Sequence, residues 1–138
     1  MCLCTKFAKL DNCLISLRTK MKIFCWWTLV HGLLSIPIFG SEVYSGKCHE
    51  NKYLITYYGI CLMLAVIHTY IGILLFLAVQ CNLRNEFMFG VVLSNCFPIG
   101  ASFSYLIYLI VFQIIFITFA CRYYSTEMNI NQYSLENV

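Results

Sequence analysis

Two histidines, His31 and His68, are the residues of this chain whose placement most suggests chemistry, because each lies inside a long apolar run. Ionisable side chains at that depth in a membrane are costly and often line a path for protons or ions. A neutral imidazole can instead form a hydrogen bond to another helix, and no acidic residue accompanies the pair at a similar depth. The sequence favours packing between helices and leaves a proton- or ion-conducting bundle as an alternative hypothesis.

Other side chains in the apolar runs predict contacts between helices. The amides of Asn95 and Gln113 are predicted to bridge helices, which contributes about 0.6 kcal/mol per bond on average inside a membrane. Small side chains recur every four residues at Cys61, Ala65 and Thr69 and predict a face of close helix approach. An aromatic stripe at helical spacing predicts a face that packs into the bundle or against lipid. The stripe comprises Tyr105, Tyr108, Phe112, Phe116 and Phe119.

Residues for catalysis or metal binding are sparse. Asp11 is the only aspartate, and no Ser–His–acid set and no CxxC or HxxxH spacing occurs in the sequence. Cys48 and His49 supply two adjacent ligands, which is short of a zinc site. The sequence therefore predicts a protein that is not an enzyme and uses no metal or cofactor.

The composition makes lipid the solvent for most of the chain. Of its 138 residues, 61% are hydrophobic and 11% are charged, whereas soluble domains have about 45–50% and about 25%. A soluble domain of this length would bury only about two-thirds of the surface that its unfolded chain exposes. The net charge of +3 is small and dispersed, which argues against nucleic acid as a partner.

Three charge-free stretches, at residues 23–41, 53–83 and 87–121, place the membrane spans. One helix over the third stretch would be about 52 Å long, and residues 98–102 contain Pro98 and Gly100, which predict a turn. Since a crossing needs about 20 residues, the sequence favours four spans over three. The predicted spans are 23–40, 54–79, 85–99 and 102–121.

Lysine and arginine set the predicted orientation. The leader, residues 1–22, has five basic residues against one acidic residue, and Arg84 and Arg122 follow the second and fourth spans. The predicted fold is therefore an all-α four-helix membrane bundle with both chain ends in the cytoplasm. Its tail, residues 122–138, is polar and predicted to be mobile. The rival interpretation of the first span is a signal peptide cleaved after Gly40.

Seven of the nine cysteines lie near one side of the membrane or the other, and Cys25 and Cys61 lie within predicted spans. Juxtamembrane cysteines are common sites of S-palmitoylation, and cytosolic thiols stay reduced, so at least one inner cysteine is predicted to be acylated, with Cys4 and Cys13 the first candidates. The inner group comprises Cys2, Cys4, Cys13, Cys81 and Cys121. On the outer side, Cys48 and Cys96 form a disulfide only if their Cα atoms approach within about 7 Å.

The last residue, Val138, follows Glu136 by two positions. A hydrophobic carboxyl terminus of this kind can add as a strand to the groove of a PDZ domain. Such a domain is a hypothetical partner.

A cysteine-containing motif precedes the first span: Cys2-Leu3-Cys4, followed by Cys13-Leu14-Ile15-Ser16-Leu17-Arg18-Thr19. It resembles the "SLRTG" start of the first helix in a family of small insect four-span membrane proteins. That family includes the Pasiflora proteins of septate junctions and is similar to the lysosome-associated LAPTM proteins. The resemblance in layout covers about residues 10–122. It departs from the family at Lys20, where glycine is usual, and the chain lacks the proline–tyrosine motifs of LAPTM tails.

The resemblance implies a four-span fold and brings no catalytic residues with it. It implies an accessory or organising component of a membrane assembly, with other membrane proteins as partners and an insect cell junction at the plasma membrane as the favoured setting. An endolysosomal adaptor or transport-accessory protein is the alternative.

Overall fold

The computed structural model describes residues 15–45, 52–101 and 107–128, and all the regular secondary structure in these ranges is helical. The predicted all-α class is confirmed. The helices are α1 (Leu17–Tyr44), α2 (Lys52–Cys81), α3 (Arg84–Leu93), α4 (Cys96–Ala101) and α5 (Ile107–Tyr123), and a π-helical turn (Tyr124–Met128) continues α5.

Helix α1 starts within the cysteine-containing motif. Ser16 is its N-cap, and the Ser16 hydroxyl accepts a hydrogen bond from the Thr19 amide at 3.3 Å. This bond satisfies one of the amide groups that a helix start leaves without a partner. The end of the predicted leader is therefore helical from Leu17 onward, while residues 1–14 lie outside the described residues.

Helices α1 and α2 pack antiparallel and approach most closely at two glycines. A Cβ atom on Gly72 would lie 2.7 Å from the Leu29 Cα, and one on Gly32 would lie 2.5 Å from the Thr69 Oγ1. The small-residue face of α2 turns inward here, with Cys61 and Ala65 buried. Small side chains let the two backbones approach in this way.

The third apolar stretch contains a helix break one turn before the expected turn. Helix α3 ends at Leu93 and α4 begins at Cys96, so the break lies between them. Pro98 lies inside α4. The turn predicted over residues 98–102 is therefore wrong for residues 98–101, which are helical. Proline lacks an amide proton and its ring clashes with the carbonyl four residues earlier, which here belongs to Ser94. The ladder of helical hydrogen bonds is therefore interrupted before Pro98.

Helices α3 and α4 together run antiparallel along most of α2. A Cβ on Gly90 would meet the Leu75 side chain at 2.7 Å. Further along, the Phe97 ring packs 4.9 Å from the His68 ring. Near the far end, the Tyr57 hydroxyl donates to the Gly100 carbonyl at 3.1 Å. The pair thus begins beside the end of α2 and finishes near its start.

Helix α5 returns antiparallel to α1 and turns its aromatic stripe toward it. The Phe112 ring lies 5.0 Å from Trp27, and Phe116 stacks on Phe24 at 5.0 Å. These ring contacts join the two helices, and Phe112 is also 43% exposed on the outer surface. Tyr105, the first member of the stripe, lies outside the described residues.

The end of α5 corrects the predicted tail. The helix continues to Met128, and the side chains of Arg122, Tyr123 and Met128 are buried. The hydroxyls of Ser125 and Thr126 donate to the Arg122 carbonyl, so this polar turn satisfies its hydroxyls locally. Residues 129–138, including the proposed PDZ ligand at the carboxyl terminus, lie outside the described residues.

Within the described ranges, three helical stretches are long and apolar enough to cross a membrane. They are Leu17–Tyr44, Lys52–Cys81 and Tyr108–Met128. Helices α3 and α4 are each too short to cross alone, at about 15 Å and 9 Å. The length and composition of these three stretches therefore indicate a membrane protein.

Candidate functional site

A layer of polar side chains lies between two apolar clusters and reaches the outer surface at Tyr108, which is 44% exposed. One cluster, at the starts of α1 and α3, includes Phe24, Leu75 and Phe87, and the other includes Phe39 and Phe97. On each long helix, a polar residue stands between the residues of the two clusters. We define the polar layer as Thr28, His31, His68, Ser94, Tyr108 and Gln113.

His31 joins α1 to α5 within the polar layer. Its Nε2 atom lies 2.9 Å from the Tyr108 hydroxyl, and its ring lies 5.0 Å from Trp27. The Ser35 hydroxyl donates to the His31 carbonyl at 2.7 Å. This arrangement is the hydrogen bond between helices that the packing hypothesis describes.

His68 is only 3% exposed and packs its ring against Phe97. Phe97 also lies 6.4 Å from the His31 ring, so one aromatic ring contacts both imidazoles. The Nδ1 atoms of both histidines are buried and have no hydrogen-bond partner among the described residues. A buried polar atom without a partner costs about 1–3 kcal/mol. These two nitrogens are therefore the least satisfied polar atoms of the layer.

Gln113 joins α5 to the helix break. Its Nε2 donates to the Ser94 hydroxyl at 2.7 Å, and that hydroxyl donates to the Val91 carbonyl at 2.8 Å. Both side chains are buried. Asn95 differs from the expectation, because its amide donates to the carbonyls of Val91 and Val92 on its own segment rather than to another helix. An amide beside a break finds the carbonyls that the interrupted helix leaves open.

We expect Gln113→Leu to lower the free energy of unfolding by about 0.6 kcal/mol and at most about 1.7 kcal/mol. The loss should be smaller in a chain that already carries Ser94→Ala, since the two side chains share one hydrogen bond. Unfolding of all four chains in mixed detergent micelles measures this coupling. Thr118→Val serves as the control, because its hydroxyl donates within α5. Additive losses for Gln113→Leu and Ser94→Ala would contradict the prediction.

The two described cysteines of the inner group differ in how exposed their thiols are. Cys81 is exposed at the end of α2, and Cys121 is half-buried on α5. The other three members of this group, Cys2, Cys4 and Cys13, lie outside the described residues.

The structure describes one of the two cysteines of the hypothetical Cys48–Cys96 disulfide. Cys96 is exposed beside Phe97, which packs on His68 near the middle of α2. Cys48 lies outside the described residues, so the Cys48–Cys96 bond stays a prediction.

The described part of the chain contains no group of three or more His, Cys, Asp or Glu residues that could hold a metal ion. What the polar layer offers chemically is hydrogen bonding between helices and two imidazole side chains. Sequence reasoning missed Tyr108 as the partner of His31 and Ser94 as the partner of Gln113. The helical stripe that contains Tyr108 was the only available signal for the first pairing.

Comparison with protein-family models finds no match, and neither the curated proteins nor the solved structures include one that matches this chain.

Proposed function

We propose that this chain is a small, non-enzymatic, four-span membrane protein that acts as an accessory or organising component of a membrane assembly. The main support for this proposal is the large share of the helix surface that is not buried inside the chain. In the most apolar part of each membrane-spanning stretch, few residues are buried inside the chain. The buried share is 33% in Leu17–Tyr44, 33% in Lys52–Cys81 and 28% in Tyr108–Met128. The remaining helix surface contacts lipid and is available to other membrane proteins.

The four-span arrangement is supported by the path of α3 and α4, which together follow α2 from its end toward its start. Helix α5 then returns beside α1. We define the basic end as the end formed by the starts of α1 and α3 and the ends of α2 and α5. It contains five of the six described basic residues, which favours placing it in the cytoplasm. These five are Arg18, Lys20, Lys22, Arg84 and Arg122.

Epitope tags at the two chain ends test this topology. In the proposed arrangement, antibodies reach both tags only after the plasma membrane is permeabilised. A tag between α1 and α2 should be reached in intact cells if the protein is at the cell surface. A carboxyl-terminal tag that is reached without permeabilisation would overturn the four-span proposal.

The cell junction is the favoured setting, and it rests on the resemblance of the amino-terminal motif. The alternative is an endolysosomal adaptor of the LAPTM type. Imaging in native tissue separates them, since lateral cell borders support the junction and acidic vesicles support the adaptor. Proximity labelling from the same fusion protein tests the organising role: reproducible enrichment of the same membrane proteins supports it, and labelling no different from a freely diffusing membrane marker overturns it.

A second candidate function is proton conduction through the polar layer. The observation that favours it is the pair of buried Nδ1 atoms without described partners. Its test is proton flux into vesicles reconstituted with the purified chain. Flux that His68→Ala abolishes and Cys61→Ala retains would support conduction, because both residues lie on the buried face of α2. Absence of flux in the unmodified chain rejects it.

We expect acylation at the basic end to include Cys81, because this thiol is exposed at the end of a membrane-spanning helix. Acyl exchange with a mass tag should show one shift fewer in Cys81→Ser than in the unmodified chain. Cys25→Ser should leave the pattern unchanged, since Cys25 is 1% exposed. If hydroxylamine produces no shifted band in native cells, the hypothesis that these cysteines are acylated fails.

A further inference from the structure

A concave pocket of about 550 Å³ lies at the basic end, between the α2–α3 connection and the end of α5. Its polar lining comes from Asn82, Arg84, Asn85, Glu86 and Tyr124. Sites for small ligands have volumes of about 300–1,000 Å³. The pocket therefore has room for a polar group of substantial size.

Arg84 is held in a defined orientation at this pocket. Its Nε donates to the Tyr124 hydroxyl at 2.6 Å, and its guanidinium lies 4.6 Å from the centre of the same ring. The two residues are 40 positions apart, so the contact joins the start of α3 to the end of α5. A planar guanidinium whose face and Nε are fixed in this way carries a positive charge that suits a phosphate group.

The surrounding charge favours an anionic ligand. The basic end has five described basic residues and two acidic ones, Glu86 and Glu127, which leaves three positive charges in excess. At the opposite end, the described charges of Lys52 and Glu42 cancel. The pocket thus lies at the end where the described residues have an excess of positive charge.

The outer face of α3 indicates that this ligand is a lipid. Met88, Phe89 and Val92 follow the pocket along α3, and their side chains are exposed. A headgroup in the pocket would leave its acyl chains beside this apolar surface. A free phosphate compound would make no use of it.

We propose that the pocket binds the phosphate-bearing headgroup of an anionic phospholipid, with Arg84 as the main phosphate ligand. The amides of Asn82 and Asn85 line the same pocket and supply further hydrogen-bond donors. Basic pockets between membrane helices bind headgroups of this class. The binding does not depend on the organising role proposed above, since the purified chain tests it alone.

The experiment measures binding of dioctanoyl phosphatidylinositol 4,5-bisphosphate to the purified full chain in detergent. Dioctanoyl phosphatidylcholine and soluble inositol 1,4,5-trisphosphate are the comparison ligands. We expect the anionic lipid to bind more tightly than either. Equal affinity for the lipid and the soluble headgroup would overturn the assignment to a lipid.

Three substitutions locate the site. Arg84→Gln should weaken binding about tenfold or more, because it removes a charged hydrogen-bonding ligand. Glu86→Gln should strengthen binding, because it removes the negative charge in the pocket lining. Lys52→Gln removes one positive charge at the opposite end and should leave affinity unchanged.

Equal losses in Arg84→Gln and Lys52→Gln would mean attraction to net charge rather than a site, and would overturn the proposal. The gain expected for Glu86→Gln cannot come from misfolding. If Arg84→Gln does not fold, the proposal is overturned when Glu86→Gln fails to bind the anionic lipid more tightly than the unmodified chain does. Gel filtration and circular dichroism of each variant establish which case applies.

Discussion

Replacing Gly72 with alanine is expected to lower the free energy of unfolding by about 1–3 kcal/mol, the usual cost of overpacking. The added Cβ would lie 2.7 Å from both the Cα and the backbone nitrogen of Leu29. Because these are backbone atoms, no change of rotamer relieves the clash, and α1 must move away from α2. That movement also weakens the neighbouring approach of Gly32 to Thr69.

Gly59→Ala on the same helix is the matched control. A Cβ on Gly59 meets no described atom within 4 Å, and alanine is favoured over glycine inside a helix by about 0.8–1.0 kcal/mol. Unfolding in mixed detergent micelles should therefore show a stabilised Gly59→Ala chain and a destabilised Gly72→Ala chain. Equal stabilities would contradict the close crossing of α1 and α2.

The helices themselves could be predicted because the membrane leaves the chain little choice. A lipid environment requires every backbone polar group to find a partner within the span, so a long charge-free run must be helical. The run at residues 53–83 accordingly coincides with α2, Lys52–Cys81, to within two residues at each end. The start of α1 was harder to place, because the hydroxyls of Ser16 and Thr19 extend the helix into the charged leader.

The helix break shows how a correct signal can be assigned to the wrong residues. The sequence identifies Pro98 as a disruptive residue and predicts a turn at and after it. Its missing amide proton and its ring act on the preceding turn instead. The break therefore falls between Leu93 and Cys96, and Pro98 is accommodated in the first turn of α4.

The partners of the candidate sites could not be predicted, because they depend on how each helix is rotated about its axis. Local sequence identifies His31 as a polar residue in a span, but the choice of Tyr108 as its partner follows from the packing of α1 on α5. The same holds for Arg84 and Tyr124. By its sequence Tyr124 belongs to the polar tail, so no sequence pattern predicts the pocket at the basic end.

Replacing Phe97 with alanine is the second large effect that we expect. Phe97 is 1% exposed, and its ring packs against His68 at 4.9 Å, Phe39 at 6.3 Å and His31 at 6.4 Å. It therefore joins α4 to both α1 and α2 at the boundary between the polar layer and one apolar cluster. Removing the ring leaves a cavity lined partly by imidazole.

The expected loss for Phe97→Ala is about 3 kcal/mol, the lower limit of the range for such truncations in soluble proteins. The lower limit applies because lipid is as apolar as the interior, so lost packing rather than lost transfer from water dominates the cost. Phe89→Ala on α3 is the control: Phe89 is 60% exposed, and its loss should be within about 0.5 kcal/mol. Unfolding in mixed micelles compares the two chains. If Phe89→Ala costs as much as Phe97→Ala, the ring of Phe97 does not hold α4 against the polar layer.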